Sequence, residues 1–170
     1  MDEQLSVREA ARFALVRRSV DDDEALSRAF LNALKLSAET LNVDRVGIWH
    51  YEDEGRQIRC VMLFDRRTGQ AAPGEVIDLL RCPRYADALR TRRVVMANDA
   101  REDSRTGELT AYLVPNDIFA LLDCPVFEKG DAIGVVCHEH VGAVREWSDA
   151  DRYFAATVAA QDADILQQLT

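Results

Sequence analysis

Two neighbouring runs of β-forming residues near the end of the chain constrain its fold most strongly. Residues 120–127 and 132–140 both favour extended structure, and the short polar segment 128–131, which contains Gly130, separates them. Two such runs around a short glycine-containing turn predict a β-hairpin. Side chains alternate along the second run, with Cys137 and Glu139 on one face and His138 on the other. The chain is therefore expected to fold around an antiparallel sheet.

The rest of the chain alternates between helical and extended patterns. Residues 45–52 form a predicted strand in which Gly47, Trp49 and Tyr51 share one face, and 57–64 form its hairpin partner. A short strand is predicted at 94–96, whereas 70–83 shows no regular pattern. Apolar residues at helical spacing predict helices over 5–20, 22–41, 85–91, 109–113 and 148–169. These elements predict an α+β fold with a central antiparallel sheet.

The length of 170 residues, without internal repeats, predicts one folded domain. We assign residues 1–21 to an amphipathic N-terminal helix and 22–170 to the domain proper. The 21 Lys and Arg against 30 Asp and Glu give a net charge of −9. An acidic chain of this kind is not expected to bind nucleic acid or an anionic membrane, since both need a basic face. The acidic start and the lack of a long apolar run predict a cytoplasmic protein.

The four cysteines lack the paired spacing of a zinc knuckle or a redox motif. Cys60, Cys124 and Cys137 lie in predicted strands and are expected to be packed, reduced thiols. Cys82 precedes Pro83 outside these strands, and we expect it to be exposed. His138 and His140, two residues apart on one strand face, are a partial metal-ligand pattern. A structural role beside the helices is the favoured interpretation of these histidines.

Five blocks, in this order, resemble the GAF domain family. They are Asp44–Arg45–Val46–Gly47–Ile48–Trp49, Val95–Met96–Ala97–Asn98–Asp99–Ala100, Cys124–Pro125–Val126, Ile133–Gly134–Val135–Val136 and Arg145–Glu146–Trp147–Ser148. The resemblance covers about residues 24–169. Within this family, the chain is similar to sensor modules of bacterial histidine kinases and cyclic-dinucleotide signalling proteins. It implies terminal helices on one face of the sheet, and a small-molecule pocket with short lid helices on the other. It also implies a homodimer through the terminal helices and an output domain, such as a histidine kinase, in the same or a partner chain.

The candidate ligand-binding residues follow from alternation along the strands and from this resemblance. On the sheet they are Trp49, Tyr51, Cys137 and Glu139, where aromatic rings can stack on a planar ligand and a carboxylate can accept hydrogen bonds. In the lid, residues 81–115, they are Tyr85, Asp99 and Tyr112, with Arg101 and Arg105 as candidate anion contacts. Asp99 alternatively caps its own loop, and the arginines alternatively lie at the surface.

The resemblance leaves the ligand open and assigns no cofactor or metal. In bilin-binding GAF domains a histidine faces the ligand at the position that Glu139 holds here, and the bilin-attaching cysteine has no match in this chain. Trp49 alternatively fills the pocket itself. The favoured function is a non-catalytic sensory domain. The alternatives are a cysteine-based redox sensor or free methionine-R-sulfoxide reductase, a metal sensor at His138 and His140, and a structural dimerisation module with an empty pocket.

Overall fold

Within residues 23–91 and 93–168, which the computed structural model describes, seven strands form one antiparallel sheet. The strands are β1 (Arg45–Glu52), β2 (Gln57–Asp65), β3 (Gln70–Ala72), β4 (Val76–Asp78), β5 (Val95–Ala97), β6 (Ile118–Glu128) and β7 (Asp131–Val141). Their order across the sheet is β3-β2-β1-β7-β6-β5, and β4 pairs with a further part of β2. The predicted α+β fold with a central antiparallel sheet is confirmed.

The β6–β7 hairpin is the longest pairing in this sheet. Its register places Glu128 opposite Asp131, so the connecting loop consists of Lys129 and Gly130. Both loop residues have positive φ angles, 48° and 102°, which is the conformation that two-residue hairpin loops favour. Gly130 adopts it without a steric penalty. The predicted hairpin is thus present, with each strand longer than the sequence pattern indicated.

Four α-helices accompany the sheet in the described ranges: α1 (Asp23–Leu41), α2 (Pro83–Arg90), α3 (Thr110–Leu113) and α4 (Asp149–Gln168). Single 3₁₀ turns lie at Asp53–Gly55, Leu79–Arg81 and Gly107–Leu109. The predicted helix at 5–20 and the predicted end of the last helix at Leu169 lie outside the described residues. No helix in the described part of the chain is both long and apolar enough to cross a bilayer.

The start of α4 is set by two local interactions. Ser148 Oγ accepts a hydrogen bond from the Asp151 amide, and Asp151 Oδ2 accepts one from the Ser148 amide, which together form a capping box. Just before it, the Trp147 indole donates to the Ala97 carbonyl, and the Trp147 amide donates to the Asn98 side chain. These bonds tie the beginning of α4 to the end of β5.

The alternation of side chains along the strands produces two separate cores. The helix-side core lies between the sheet and helices α1 and α4, and it includes Phe30, Leu34, Ile48, Leu122, Val136 and Val158. The second core lies under the lid, and it includes Trp49, Cys60, Tyr85, Tyr112, Leu121 and Cys137. We call the sheet face under the lid the pocket face, and this second core the pocket-side core. Cys137 and Val136 belong to different cores, as the predicted alternation of β7 requires.

Candidate functional site

The centre of the pocket face is the pairing of β1 with β7. In this antiparallel register Arg45 lies opposite Glu139, Gly47 opposite Cys137 and Trp49 opposite Val135. Directly opposed residues project to the same face of a sheet, about 5 Å apart. The pairing therefore brings a cation and a carboxylate side by side at one end of the strand pair and an indole ring at the other.

A buried polar triangle joins Arg45, Glu139 and the lid residue Tyr112. The Arg45 Nε lies 3.1 Å from Glu139 Oε2, and the two side chains are 6% and 1% exposed. The Tyr112 hydroxyl donates to Glu139 Oε1 at 2.6 Å and accepts from Arg45 Nη2 at 3.2 Å. One hydroxyl thus bridges both charges as donor and acceptor. We call these three residues the Arg–Glu–Tyr triangle.

Burial governs the electrostatics of this triangle. Loss of solvent raises the pKa of Glu139, while Arg45 and the Tyr112 hydroxyl act in the opposite direction by stabilising the carboxylate. The pKa of Tyr112 lies well above its usual range, first because of burial and then because Glu139 is close. The phenol therefore remains protonated, which its role as the donor to Glu139 requires.

Trp49 forms the apolar side of the same region. Its side chain is 1% exposed, and its ring meets the Tyr112 ring edge-on, with 5.4 Å between the centroids. The indole Nε1 has no hydrogen-bond partner among the residues that the structure describes. A buried unpaired donor is costly, so this N–H is a group that a bound acceptor would stabilise.

A second tyrosine–carboxylate hydrogen bond connects the lid to the sheet at another position. The Tyr85 hydroxyl of α2 donates to Asp123 Oδ2 on β6 at 2.7 Å, with both side chains buried. Burial raises the pKa of Asp123 to about 7. Asp123 also lies opposite Cys137 in the sheet, where burial and then this carboxyl raise the thiol pKa well above its usual value. Helices α2 and α3 are thus each held to the sheet by one phenol.

The remaining predicted site residues are Tyr51 on the sheet and Asp99 and Arg101 in the lid. Tyr51 is half-buried at the border of the pocket-side core, near Tyr85 and Cys137, and burial raises its pKa to about 12. Asp99 caps its own loop, because Oδ1 accepts from the amides of Arg101 and Glu102. The Arg101 guanidinium donates to the Ile118 carbonyl and lies 3.8 Å from the centre of the Phe119 ring. The structure therefore gives Asp99 the capping geometry and no contact with either cluster.

Arg105 is likewise engaged within the lid. Its guanidinium pairs with Asp103 at 2.7 Å and donates to the Met96 carbonyl at 2.6 Å. It also lines a cleft of about 410 Å³ with Arg93, Val95 and Thr91. Val95 also belongs to the core under the lid, so this cleft borders that core from outside the Arg–Glu–Tyr triangle.

A second open cavity, of about 330 Å³, borders the lid close to the Arg–Glu–Tyr triangle. Tyr112 belongs both to its lining and to the triangle. The other lining residues include Ile77, Cys82, Leu109 and three acidic residues, Glu75, Asp78 and Glu108, with Arg81 as the one cation among them. Tyr112 thus connects this cavity to the buried charge pair.

The cysteines are free, and all four are buried. The expectation that Cys82 is exposed is wrong: its side chain is buried in the core under the lid, and its Sγ lies 3.5 Å from the Glu108 carbonyl. Burial and the nearby Glu108 raise the pKa of the Cys82 thiol, and burial raises that of Cys60 to about 12. Elevated pKa values disfavour the thiolate, which is the reactive form of cysteine.

The histidine pair faces the helix side of the sheet. His138 is fully buried with Nδ1 2.8 Å from the Leu122 carbonyl, and His140 Nδ1 lies 3.3 Å from Asp44. Burial lowers the pKa of His138 to about 4. Among residues 23–91 and 93–168, no cluster of three His, Cys, Asp or Glu side chains is arranged to hold a metal ion.

Two residues of the site escaped the sequence analysis. Arg45 was assigned to the first strand but not to the pocket, and Asp123 was not singled out. Alternation along β1 places Arg45 on the face of Trp49, and Asp123 is the one charged residue in the apolar run 120–127. A lone carboxylate in such a run is the available signal, because buried charges need a partner.

The antiparallel sheet carries long helices on one face and a lid of short helices on the other, which is a mixed α+β architecture. The family model of the GAF domain matches residues 25–164, and the chain belongs to this family. Comparison with curated proteins found no match.

Solved structures share the fold at low sequence identity. The GAF domain of an Acinetobacter phosphoenolpyruvate-protein phosphotransferase has a TM-score of 0.73 and 16% identity, covering 99% of this chain and 95% of that one. A domain of a Sinorhizobium meliloti 1021 protein assigned as a two-component sensor histidine kinase has 0.62 and 19%, covering 84% and 92%. The free methionine-R-sulfoxide reductase of Neisseria meningitidis has 0.67 and 11%, covering 98% and 92%.

Proposed function

We propose that this chain is a non-catalytic sensory domain that binds a small molecule between the sheet and the lid. The Arg–Glu–Tyr triangle carries this proposal. A buried ion pair costs several kcal/mol per ion in lost hydration, and apolar residues of similar size often replace such a pair without loss of stability. Its place on the pocket face, beside Trp49, Cys137 and a cavity, favours recognition of a ligand over a purely structural purpose.

The proposed ligand contacts are the predicted Trp49, Tyr51, Tyr85, Tyr112, Cys137 and Glu139, extended by Arg45 and Asp123. Arg45 and Glu139 supply charge, and the Trp49 indole supplies an unpaired donor. Asp99, also predicted, is proposed to act indirectly by shaping the loop between β5 and α3. This set combines aromatic surface with few polar groups, as small-molecule sites commonly do.

The proposed output runs through the sheet to the helices. Helix α4 packs on β6 and β7, the strands whose opposite face carries Asp123 and Glu139. A ligand that binds one lid arrangement better than another raises the population of that arrangement. This change alters the packing of α4 against the sheet. We propose that α1, α4 and residues 5–20 form a homodimer that controls an output domain. The phosphotransferase and sensor-kinase neighbours support this, because each of those structures is one domain of a phosphotransfer or sensor-kinase protein.

The thiols support a non-catalytic role and a reducing compartment such as the cytoplasm. All four are unpaired and buried with raised pKa values, whereas a thiol nucleophile needs a lowered pKa and access to substrate. The reductase neighbour makes a direct assay worthwhile. We expect no dithiothreitol-dependent reduction of free methionine-R-sulfoxide, and measurable turnover that is lost in Cys82→Ser would contradict the non-catalytic proposal.

A structural dimerisation module is the second candidate. The observation that favours it is the filling of the pocket face by Trp49 and Tyr112, whose rings pack edge-on and largely exclude solvent. In that case the Arg–Glu–Tyr triangle holds the lid against the sheet, and no ligand displaces Tyr112.

Native mass spectrometry of the freshly purified full chain, with its absorption spectrum, separates these candidates. We expect a dimer carrying extra small-molecule mass. Trp49→Phe should lose that mass and remain dimeric, whereas the matched variant Trp147→Phe, on the helix side, should keep it. A dimer at bare polypeptide mass that no compound stabilises against heat would support the structural module. A monomer would contradict dimerisation through the terminal helices.

A further inference from the structure

Tyr112 occupies the pocket face in the manner of a bound ligand. Its ring lies edge-on to Trp49 and 5.8 Å from the Arg45 guanidinium carbon, and its hydroxyl both donates to Glu139 and accepts from Arg45. The residue comes from α3, a helix of a single turn, rather than from the sheet. The β1–β7 register holds Arg45 and Glu139 opposite each other, whereas the position of Tyr112 depends on a short lid segment.

The chemistry of the triangle defines what could take the place of this side chain. A replacement has to fill a flat apolar space beside an indole, donate one hydrogen bond to a carboxylate and accept one from a guanidinium. A phenol meets all three conditions, as Tyr112 itself does. An aromatic ring without a hydroxyl would leave both buried charges with an unmet bond, which costs more than the bond contributes when formed.

The adjoining cavity selects among phenols by charge. Glu75, Asp78 and Glu108 line it together with the cation Arg81, and Tyr112 belongs both to this lining and to the triangle. Asp78 lies 3.5 Å from Arg81 and Glu108 lies 3.7 Å from Arg84, whereas the Glu75 carboxylate accepts a hydrogen bond from the Asn116 amide. A ligand whose ring replaces the Tyr112 ring would extend its substituent into this acidic space. A cationic substituent is attracted there and an anionic one is repelled.

We propose that the ligand class of this domain is a phenolic amine, which binds by displacing Tyr112 from Arg45 and Glu139. The proposal rests on the ligand-binding function proposed above and specifies its chemistry. Tyr112 is then an internal competitor: it satisfies the charge pair in the free state, and its release with α3 couples ligand binding to the lid.

Tyramine is the probe that tests this, with isothermal titration calorimetry on the full chain. Tyr112→Phe keeps the packing ring but removes the competing hydroxyl, so its affinity for tyramine should rise about tenfold over the unmodified chain. Tyr153→Phe is the matched control, because it also removes one phenol hydroxyl, but from an exposed side chain on α4 that is not part of the cavity lining. Its tyramine affinity should equal that of the unmodified chain.

Three further measurements isolate the chemistry. Phenethylamine, which lacks the hydroxyl, should gain nothing from Tyr112→Phe, and 3-(4-hydroxyphenyl)propionate should bind at least tenfold more weakly than tyramine. Adding Glu139→Gln to Tyr112→Phe should remove most of the gain, because the charge-assisted bond is lost. Circular dichroism establishes that each variant is folded.

The proposal is overturned if folded Tyr112→Phe does not bind tyramine, if phenethylamine gains as much as tyramine, or if Tyr153→Phe produces the same gain. A purified chain that carries a bound molecule of another class, with affinity insensitive to Tyr112→Phe, would also overturn it. That last result would leave the sensory function in place. A chain that binds no molecule at bare polypeptide mass would instead contradict the proposed function itself.

Discussion

At the level of single residues, the buried ion pair is the most consequential feature of this domain. Arg45 and Glu139 each lose hydration on folding, and each is compensated mainly by the other and by Tyr112. Removing one partner therefore differs from removing all three. Removing one partner leaves a buried charge unpaired, whereas replacing all three residues by apolar ones turns a polar cluster into an apolar one.

This asymmetry gives a measurable prediction. Arg45→Met should lower the free energy of unfolding by about 3–5 kcal/mol, because Glu139 is left uncompensated. Combining it with Glu139→Leu and Tyr112→Phe should recover most of that loss. Urea denaturation of the two proteins provides the comparison. A triple variant no more stable than the single one would show that these side chains contribute by packing and not by charge.

The sequence predicts part of this site because one physical rule applies to every strand. Alternation places Trp49 on one strand, and Cys137 and Glu139 on another, facing a common side, and the two cores confirm that division. Alternation does not specify which residues lie opposite each other. Arg45 meets Glu139 only because of the β1–β7 register, which depends on contacts between segments about 90 residues apart.

At the level of elements, the sequence predicts all the long elements, whereas two short strands are missing from the prediction. The helices α1 and α4 and the strands β1, β2, β6 and β7 contain eight or more residues and show clear periods. The strands β3 and β4 contain three residues each and lie in the stretch 70–83, for which no regular pattern was found. They form by pairing with β2, so tertiary contacts rather than local preference define them.

The contact between α4 and β7 depends on a residue without a side chain. A Cβ atom on Gly134 would lie 2.2 Å from the Trp49 carbonyl oxygen and 2.4 Å from a methyl carbon of Leu166. The first of these neighbours is backbone and cannot rotate away. Gly134 thus allows β1, β7 and the later part of α4 to approach closely.

Gly134→Ala should destabilise the domain by about 1–3 kcal/mol, since overpacking forces backbone shifts. Hydrogen exchange should speed up most around Leu166 and at the β1–β7 pairing. Ala132→Ser, on the same strand at a half-buried position, should leave the exchange pattern unchanged. Equal effects of the two substitutions would contradict the idea that the close approach occurs specifically at Gly134.

For the whole molecule, three buried titratable groups make stability depend on pH. Burial raises the pKa of Asp123 and of Asp162 to about 7, and lowers that of His138 to about 4. Asp162 lies on α4, four residues from Val158 and from Leu166, on the face that packs into the helix-side core. Asp123 therefore lies on the pocket face, whereas Asp162 and His138 lie on the helix side, so each side of the sheet contains a buried titratable group.

The direction of each effect follows from proton uptake. Above their ordinary pKa near 4, Asp123 and Asp162 keep their protons in the folded chain but lose them on unfolding, so rising pH lowers stability until about pH 7 is passed. His138 stays neutral when folded but gains a proton on unfolding below pH 6.5, so rising pH raises stability between about pH 4 and 6.5. The contributions oppose each other in acid, and the carboxyls alone remain above pH 6.5.

The free energy of unfolding should therefore fall from about pH 6.5 through pH 7 and level off above it, with each carboxyl contributing at most about 1.4 kcal/mol per pH unit. Urea denaturation at half-unit pH intervals measures this slope. Asp162→Asn should reduce it without touching the pocket face, and the added change Asp123→Asn should reduce it further, because an amide does not titrate. The slope that then remains belongs to other groups such as Glu139, whose pKa burial also raises. His138→Gln should leave the slope above pH 6.5 unchanged and remove the opposing rise below it. A double Asp variant that keeps the full slope would place the responsible proton elsewhere in the molecule.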